Sequence, residues 1–149
     1  MSATKMEQRV SLITLAVTDI EASAAFYEAL GWTRADSTDG LVVFDLIGQT
    51  LGLYPKKALA DELGLDPKSI GGFSGITLAH NLRTQEEVDA LFERAVGVGA
   101  KALKPPQSVF WGGYHAYFSD PDGHVWEIAH NPFSTLRADG AFRWNGFES

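Results

Sequence analysis

The sequence predicts an α+β fold: one domain built from two copies of a strand-helix-strand-strand-strand unit. Three observations carry this prediction. Ser74-Gly-Ile-Thr-Leu-Ala-His80 lies over Ser11-Leu-Ile-Thr-Leu-Ala-Val17 with five of seven residues identical. Each of these strand-like segments runs into a helix-start signal of the same kind. Each copy then closes on a hairpin, and an internal repeat of this length decides a fold ahead of any single-segment reading.

Module one spans residues 8–55. Val10 to Val17 reads as a strand, with Ile13, Leu15 and Val17 on an apolar face and Leu12, Thr14 and Ala16 on a milder one. Thr18 and Glu21 form a capping box, in which the hydroxyl caps the helix start and the carboxylate reaches back. The helix carries Phe26, Tyr27 and Leu30 on one face, and Gly31 ends it. Trp32 to Ala35 is a short strand and Asp36 to Gly40 a turn cluster. Leu41 to Leu46 and Thr50 to Tyr54 form a strand pair. Pro55 breaks the pattern, and residues 56–72 read as a connector with a short helix over Ala58 to Leu63.

Module two spans residues 73–133. Thr84 and Glu87 make a second capping box, followed by the stripe Val88, Leu91, Phe92, Ala95 and Val96 of an amphipathic helix. Gly97 and Gly99 end it. Ala102-Leu103 begins a strand that Pro105-Pro106 interrupts, and Trp111-Gly-Gly-Tyr114 is a loop or bulge. Tyr114 to Ser119 enters the turn Asp120-Pro-Asp-Gly123, where proline presets φ and Asp-Gly tolerates positive φ. Residues 134–149 form a tail punctuated by Gly and polar residues. It carries Leu136, Phe142, Trp144 and Phe147, so it is expected to pack on the body or on a second chain.

The chain has 149 residues, a net charge of −7 and a pI near 4.9, which argues against nucleic acid or an anionic membrane as a partner. Without cysteine there is no disulfide, thiolate ligand or cysteine nucleophile. The N-terminus lacks the apolar stretch of a signal peptide, and no apolar run reaches the roughly 20 residues of a membrane span. A cytoplasmic protein is the expectation.

One residue calls for a function. Past the Asp120–Gly123 turn, Trp126 and Ile128 point one way and Val125, Glu127 and Ala129 the other. An acid in mid-strand among apolar neighbours is costly unless paired, ligated or protonated. Counting back across the hairpin places His115 and Tyr117 on the same side, and clustered titratable groups mark candidate sites. Of the other histidines, His124 sits in the turn, His130 faces away with Trp126, and His80 shares parity with Leu78 near a strand end.

Leu15-Ala-Val-Thr-Asp-Ile20 with Phe26-Tyr-Glu-Ala-Leu-Gly31, and Asp120-Pro-Asp-Gly-His124 with Trp126-Glu-Ile128, resemble the vicinal oxygen chelate superfamily. That superfamily includes glyoxalase I, extradiol dioxygenases and the fosfomycin- and bleomycin-resistance proteins. The resemblance covers roughly residues 8 to 133. It implies paired βαβββ modules whose curved mixed sheets form a cup, with helices on the outer face. In the enzymes it implies a divalent metal held by the first and last strands of each module. Those positions fall on Leu12, Gly52, Gly75 and Glu127. A catalytic divalent site draws on about three protein ligands, so no metal or other cofactor is expected, and a metal enzyme would need a displaced site. Since the fold hosts many chemistries, it does not name the reaction.

The ligand expected is a small organic molecule in the cup. Glu127, His115 and Tyr117 are the candidate catalytic groups, for acid/base work. Thr14, Tyr54, Thr77, Trp111, Tyr117 and Glu127 are the candidate ligand contacts, with Trp111 as a rim aromatic beside Gly112-Gly113. Three functions follow in order: a metal-independent binding protein of the bleomycin-resistance type, a metal-free isomerase or lyase, and a metal-dependent lyase or dioxygenase. The superfamily often forms homodimers, and the apolar tail leaves a homodimer open.

Overall fold

The computed structural model describes residues 4–38 and 40–147. Asp39 of the expected turn cluster and the last two residues of the tail lie outside the described residues. The element order is β1 (Ile13–Val17), α1 (Ile20–Leu30), β2 (Asp36–Thr38), β3 (Leu41–Leu46), β4 (Gln49–Pro55), α2 (Lys56–Leu63), a 3₁₀ turn (Pro67–Ser69), β5 (Thr77–Asn81), α3 (Gln85–Gly97), β6 (Lys101–Ser108), β7 (Tyr114–Ser119) and β8 (Val125–His130). Two four-stranded mixed sheets result, ordered β1-β4-β3-β2 and β5-β8-β7-β6. In each, the first strand of the module runs parallel to the last and the other pairs are antiparallel. The repeat in the sequence is thus a repeat in topology. The two sheets do not close on one another.

The core lies on one face of the sheets. From module one it takes Leu15, Val17, Val42, Phe44, Leu51 and Leu53, under Phe26 and Tyr27 of α1. From module two it takes Ala116, Phe118, Trp126 and Ile128, under Val88 and Ala95 of α3. Strand alternation leaves Thr14, Thr77, His115, Tyr117 and Glu127 on the opposite face.

Local starts and stops differ from the sequence reading in instructive ways. Asp19, rather than Thr18, caps α1, accepting a hydrogen bond from the Ala22 amide at 3.0 Å. The Thr18 amide is engaged elsewhere, donating to Asp122 Oδ1 at 2.8 Å. Thr84 does cap α3, and Glu87 reaches back to the Arg83 amide at 3.0 Å. The expected strand over 32–35 is irregular, and β2 forms instead at Asp36–Thr38 by pairing with β3. Pro105-Pro106 does not interrupt β6. The strand carries register shifts between Ala102 and Lys104 and between Lys104 and Gln107, and it lies at a sheet edge, where proline is tolerated.

The Asp120–Gly123 turn fastens module two to module one. Tyr27 donates its hydroxyl to Asp120 Oδ2 at 2.5 Å and accepts the Trp126 indole N–H at 3.0 Å. Asp120 Oδ1 accepts the amides of Asp122 and His124. His124 Nε2 lies 2.8 Å from the Ala16 carbonyl, and because a carbonyl only accepts, that nitrogen donates. Gly123 at φ 88 makes the turn possible.

The tail folds back on the body. Arg83 donates to the carbonyls of Arg137 and Ala138, and Ser134 donates to that of Trp144. A Cβ on Gly140 would sit 3.4 Å from Ile47 of module one, so the tail touches both modules.

Candidate functional site

β7 and β8 build the site by register alone. Tyr117 pairs with Glu127 and His115 with Ala129, so all three candidate side chains emerge on the face away from the helices. Glu127 Oε2 is 3.0 Å from His115 Nδ1 and accepts the Tyr117 hydroxyl at 3.0 Å. The His115 and Tyr117 rings meet edge to face with centroids 5.1 Å apart. The trio is half-buried, with side-chain exposures of 13% for His115 and 26% for Glu127. The structure therefore brings together the three residues that parity counting placed on one side.

Two chemical consequences follow. A carboxylate only accepts, so Nδ1 carries the proton at this contact. Burial first, then the hydrogen bond to and charge of Glu127, raise the Tyr117 phenol above its usual value, which keeps the hydroxyl a neutral donor. Both partners share Oε2, and among the described residues no protein donor holds Oε1.

The other expected contacts are dispersed. Tyr54 is held by Glu62 of α2, donating its hydroxyl at 2.7 Å. Thr14 and Thr77 are exposed on the first strands, beside Gly52 and Val125 respectively. Trp111 is 40% exposed and rests against its own loop. Its indole lies flat on Gly113, where an added Cβ would fall 2.0 Å from a ring carbon. Phe133 covers Gly112 in the same way, at 3.3 Å.

The metal positions can be tested on the donor set. A Cβ on Gly52 would meet Leu12 at 3.4 Å and Leu41 at 3.5 Å, so apolar side chains flank this position. The parallel ladders set Gly52 beside Thr14 and Glu127 beside Ala79. If the matching threonines Thr14 and Thr77 are held equivalent, the counterpart of Glu127 moves two residues to Tyr54, on the same face and again without a carboxylate or imidazole. Among the described residues no group of three or more His, Asp or Glu side chains is placed to hold a metal ion. Glu127 with Leu12, Gly52 and Gly75 does not fit a divalent site that needs about three ligands.

Sequence reasoning missed a second feature on the opposite face. Tyr27, Leu30, Trp32, His80, Leu91, Phe118, Trp126 and Ile128 enclose a hollow of about 60 Å³ on the seam between the modules. The signal was available in the shared parity of His80 and Leu78 with Trp126 and Ile128, but nothing in the sequence says that Trp32 meets them.

Comparison with known proteins agrees with this architecture. The family described as Glyoxalase/Bleomycin resistance protein/Dioxygenase superfamily matches residues 9–128. A glyoxalase-related enzyme from Fulvimarina pelagi is 37% identical, with a TM-score of 0.85 over 93% of this chain and 99% of that one. A hypothetical protein from S. aureus is 27% identical, with a TM-score of 0.74 over 85% of this chain and 96% of that one. An uncharacterized protein from Mycobacterium bovis is 33% identical over 64 residues, which are 43% of this chain and 40% of that protein.

Proposed function

Because this chain belongs to the Glyoxalase/Bleomycin resistance protein/Dioxygenase superfamily, we propose that it uses the superfamily's cup to bind a small organic molecule without the divalent metal. The observation that carries this reading is the arrangement at Glu127. One carboxylate oxygen is held by His115 and Tyr117 at 3.0 Å each, and Leu12, Gly52 and Gly75 have no side chain that can coordinate. A half-buried carboxylate beside two aromatic rings suits a cationic or cation-bearing aromatic ligand, which gains from both the charge and the ring faces.

The His115–Glu127 pair favours a second reading, a metal-free isomerase or lyase. A carboxylate that accepts from Nδ1 fixes the imidazole and leaves its other nitrogen for base work, which needs only such a group within reach of an acidic C–H or O–H. The two readings share a ligand and differ in whether it is recovered unchanged.

We also propose a homodimer. Phe73, Ile76, Phe110, Phe133 and Trp144 are large exposed apolar side chains, and a second copy would cover such residues. Light scattering that gives a monomer at working concentration removes it.

The experiment for the main reading is mass spectrometry of small molecules released from the purified protein, with elemental analysis of the same sample. A released organic compound present in wild type and depleted in Glu127→Gln supports binding at the trio. Stoichiometric metal would overturn it. Conversion of the recovered compound by wild type but not by Glu127→Gln would select the enzyme.

A further inference from the structure

We propose that the ligand of the Glu127 site is zwitterionic and that Lys104 is the residue that selects its anionic end. The inference rests on the reading above, in which Glu127 takes a cationic group, and it supplies the other half of the ligand. Strand register sets the two residues in one row across the second sheet. Ala79 pairs with Glu127, Glu127 with Tyr117, and Tyr117 with Lys104. Residues paired across a sheet share a face, so Lys104 stands on the cup side of β6. A neighbouring row sets Gln107 beside His115 on that same face.

The charges of this row are not used up within the chain. Glu127 Oε2 is held by His115 and Tyr117, while among the described residues Oε1 has no protein donor. Lys104 is exposed and, among the described residues, forms no ion pair. The strand of Tyr117 lies between the two, and two inter-strand spacings put their backbones roughly 10 Å apart. A single-ring molecule charged at both ends spans that gap. Lysine on an edge strand also guards against pairing with another chain, but Pro105, Pro106 and two register shifts already protect the β6 edge. Lysine is a point charge without the planar fork of arginine, so it reads the sign of the anion rather than its shape, and a carboxylate suffices. The chain's net charge of −7 repels anions in general, so an added carboxylate gains affinity only from a local cation.

The test is calorimetric titration of the full chain, stripped with EDTA, with two matched probes: benzyltrimethylammonium and the same cation carrying a para-carboxylate on its ring. Wild type is expected to bind the zwitterion about fivefold more tightly, the gain of one partly exposed ion pair. In Lys104→Met, which keeps most of the side-chain stem, the two affinities converge, and in Lys104→Arg the preference returns. The preference also shrinks as salt is raised, because an exposed pair is screened. Equal affinity for the two probes in wild type, or a preference that survives in Lys104→Met, would overturn the role of Lys104 while leaving cation binding at Glu127 in place. Failure of both probes to bind would overturn both.

Discussion

Replacing Tyr27 with Phe tests how the two modules are joined. The ring is buried and stacks on Trp32, and Phe preserves both features. Only the hydroxyl is lost, and with it two hydrogen bonds: the one donated to Asp120 Oδ2 and the one accepted from Trp126 Nε1. A hydrogen bond to a charged group is worth about 1.5–3 kcal/mol, and a buried donor left without a partner costs about 1–3 kcal/mol. Asp120 keeps the amides of Asp122 and His124 on its other oxygen, which limits its loss. The sum is about 3 kcal/mol. A chain of 149 residues has an unfolding entropy of roughly 0.3 kcal/mol/K, so Tm falls by about 10 °C. Urea denaturation should show a lower midpoint with an unchanged slope, because the folded surface is the same. Tyr117→Phe removes a hydroxyl of the same chemistry from the half-buried cup face and is expected to cost less than about 1 kcal/mol. A loss below about 1 kcal/mol for Tyr27→Phe, or equal losses for the two variants, would refute the assignment of the turn as the fastening between modules.

Gly113→Ala should displace the Trp111 indole, since the new methyl would occupy the ring's position. Tryptophan emission is expected to shift to the red and quench more readily with acrylamide, and unchanged emission would contradict the packing. The tail carries an acid-sensitive clip. Arg137 donates to both carboxylate oxygens of Asp139, and with the Ala141 amide this lowers the Asp139 pKa from 3.8 to about 2. A lowered folded-state pKa stabilises above the ordinary value and is lost as pH falls through the folded one. Exchange protection of the Ala141 amide should hold above about pH 5, decline between about pH 4 and pH 2, and be absent at all pH values in Asp139→Ala.

The fold was legible because the signals for its elements are local. The matching Ile-Thr-Leu-Ala segments, the Thr84–Glu87 cap and the Asp120–Gly123 turn each dictate the conformation of a few neighbouring residues, and the repeat supplies the topology. The trio was legible for the same reason: strand parity across one short hairpin places His115, Tyr117 and Glu127 together without knowledge of anything distant. What failed depended on contacts far along the chain. The α1 cap moved from Thr18 to Asp19 because Asp122, 104 residues away, takes the Thr18 amide. β2 sits where β3 can pair with it, rather than where Trp32 suggested a strand, because Trp32 is drawn against Tyr27, Phe44 and Trp126.

The central claim is that Glu127 recognises a small ligand without a metal. Calorimetric titration of protein stripped with EDTA, using benzyltrimethylammonium as probe, tests it most directly. The account predicts saturable binding that is weakened at least about tenfold in Glu127→Gln, as expected when a charge-assisted contact is removed. Binding that needs added Ni, Zn, Mn or Fe, or an affinity untouched by Glu127→Gln, would contradict it.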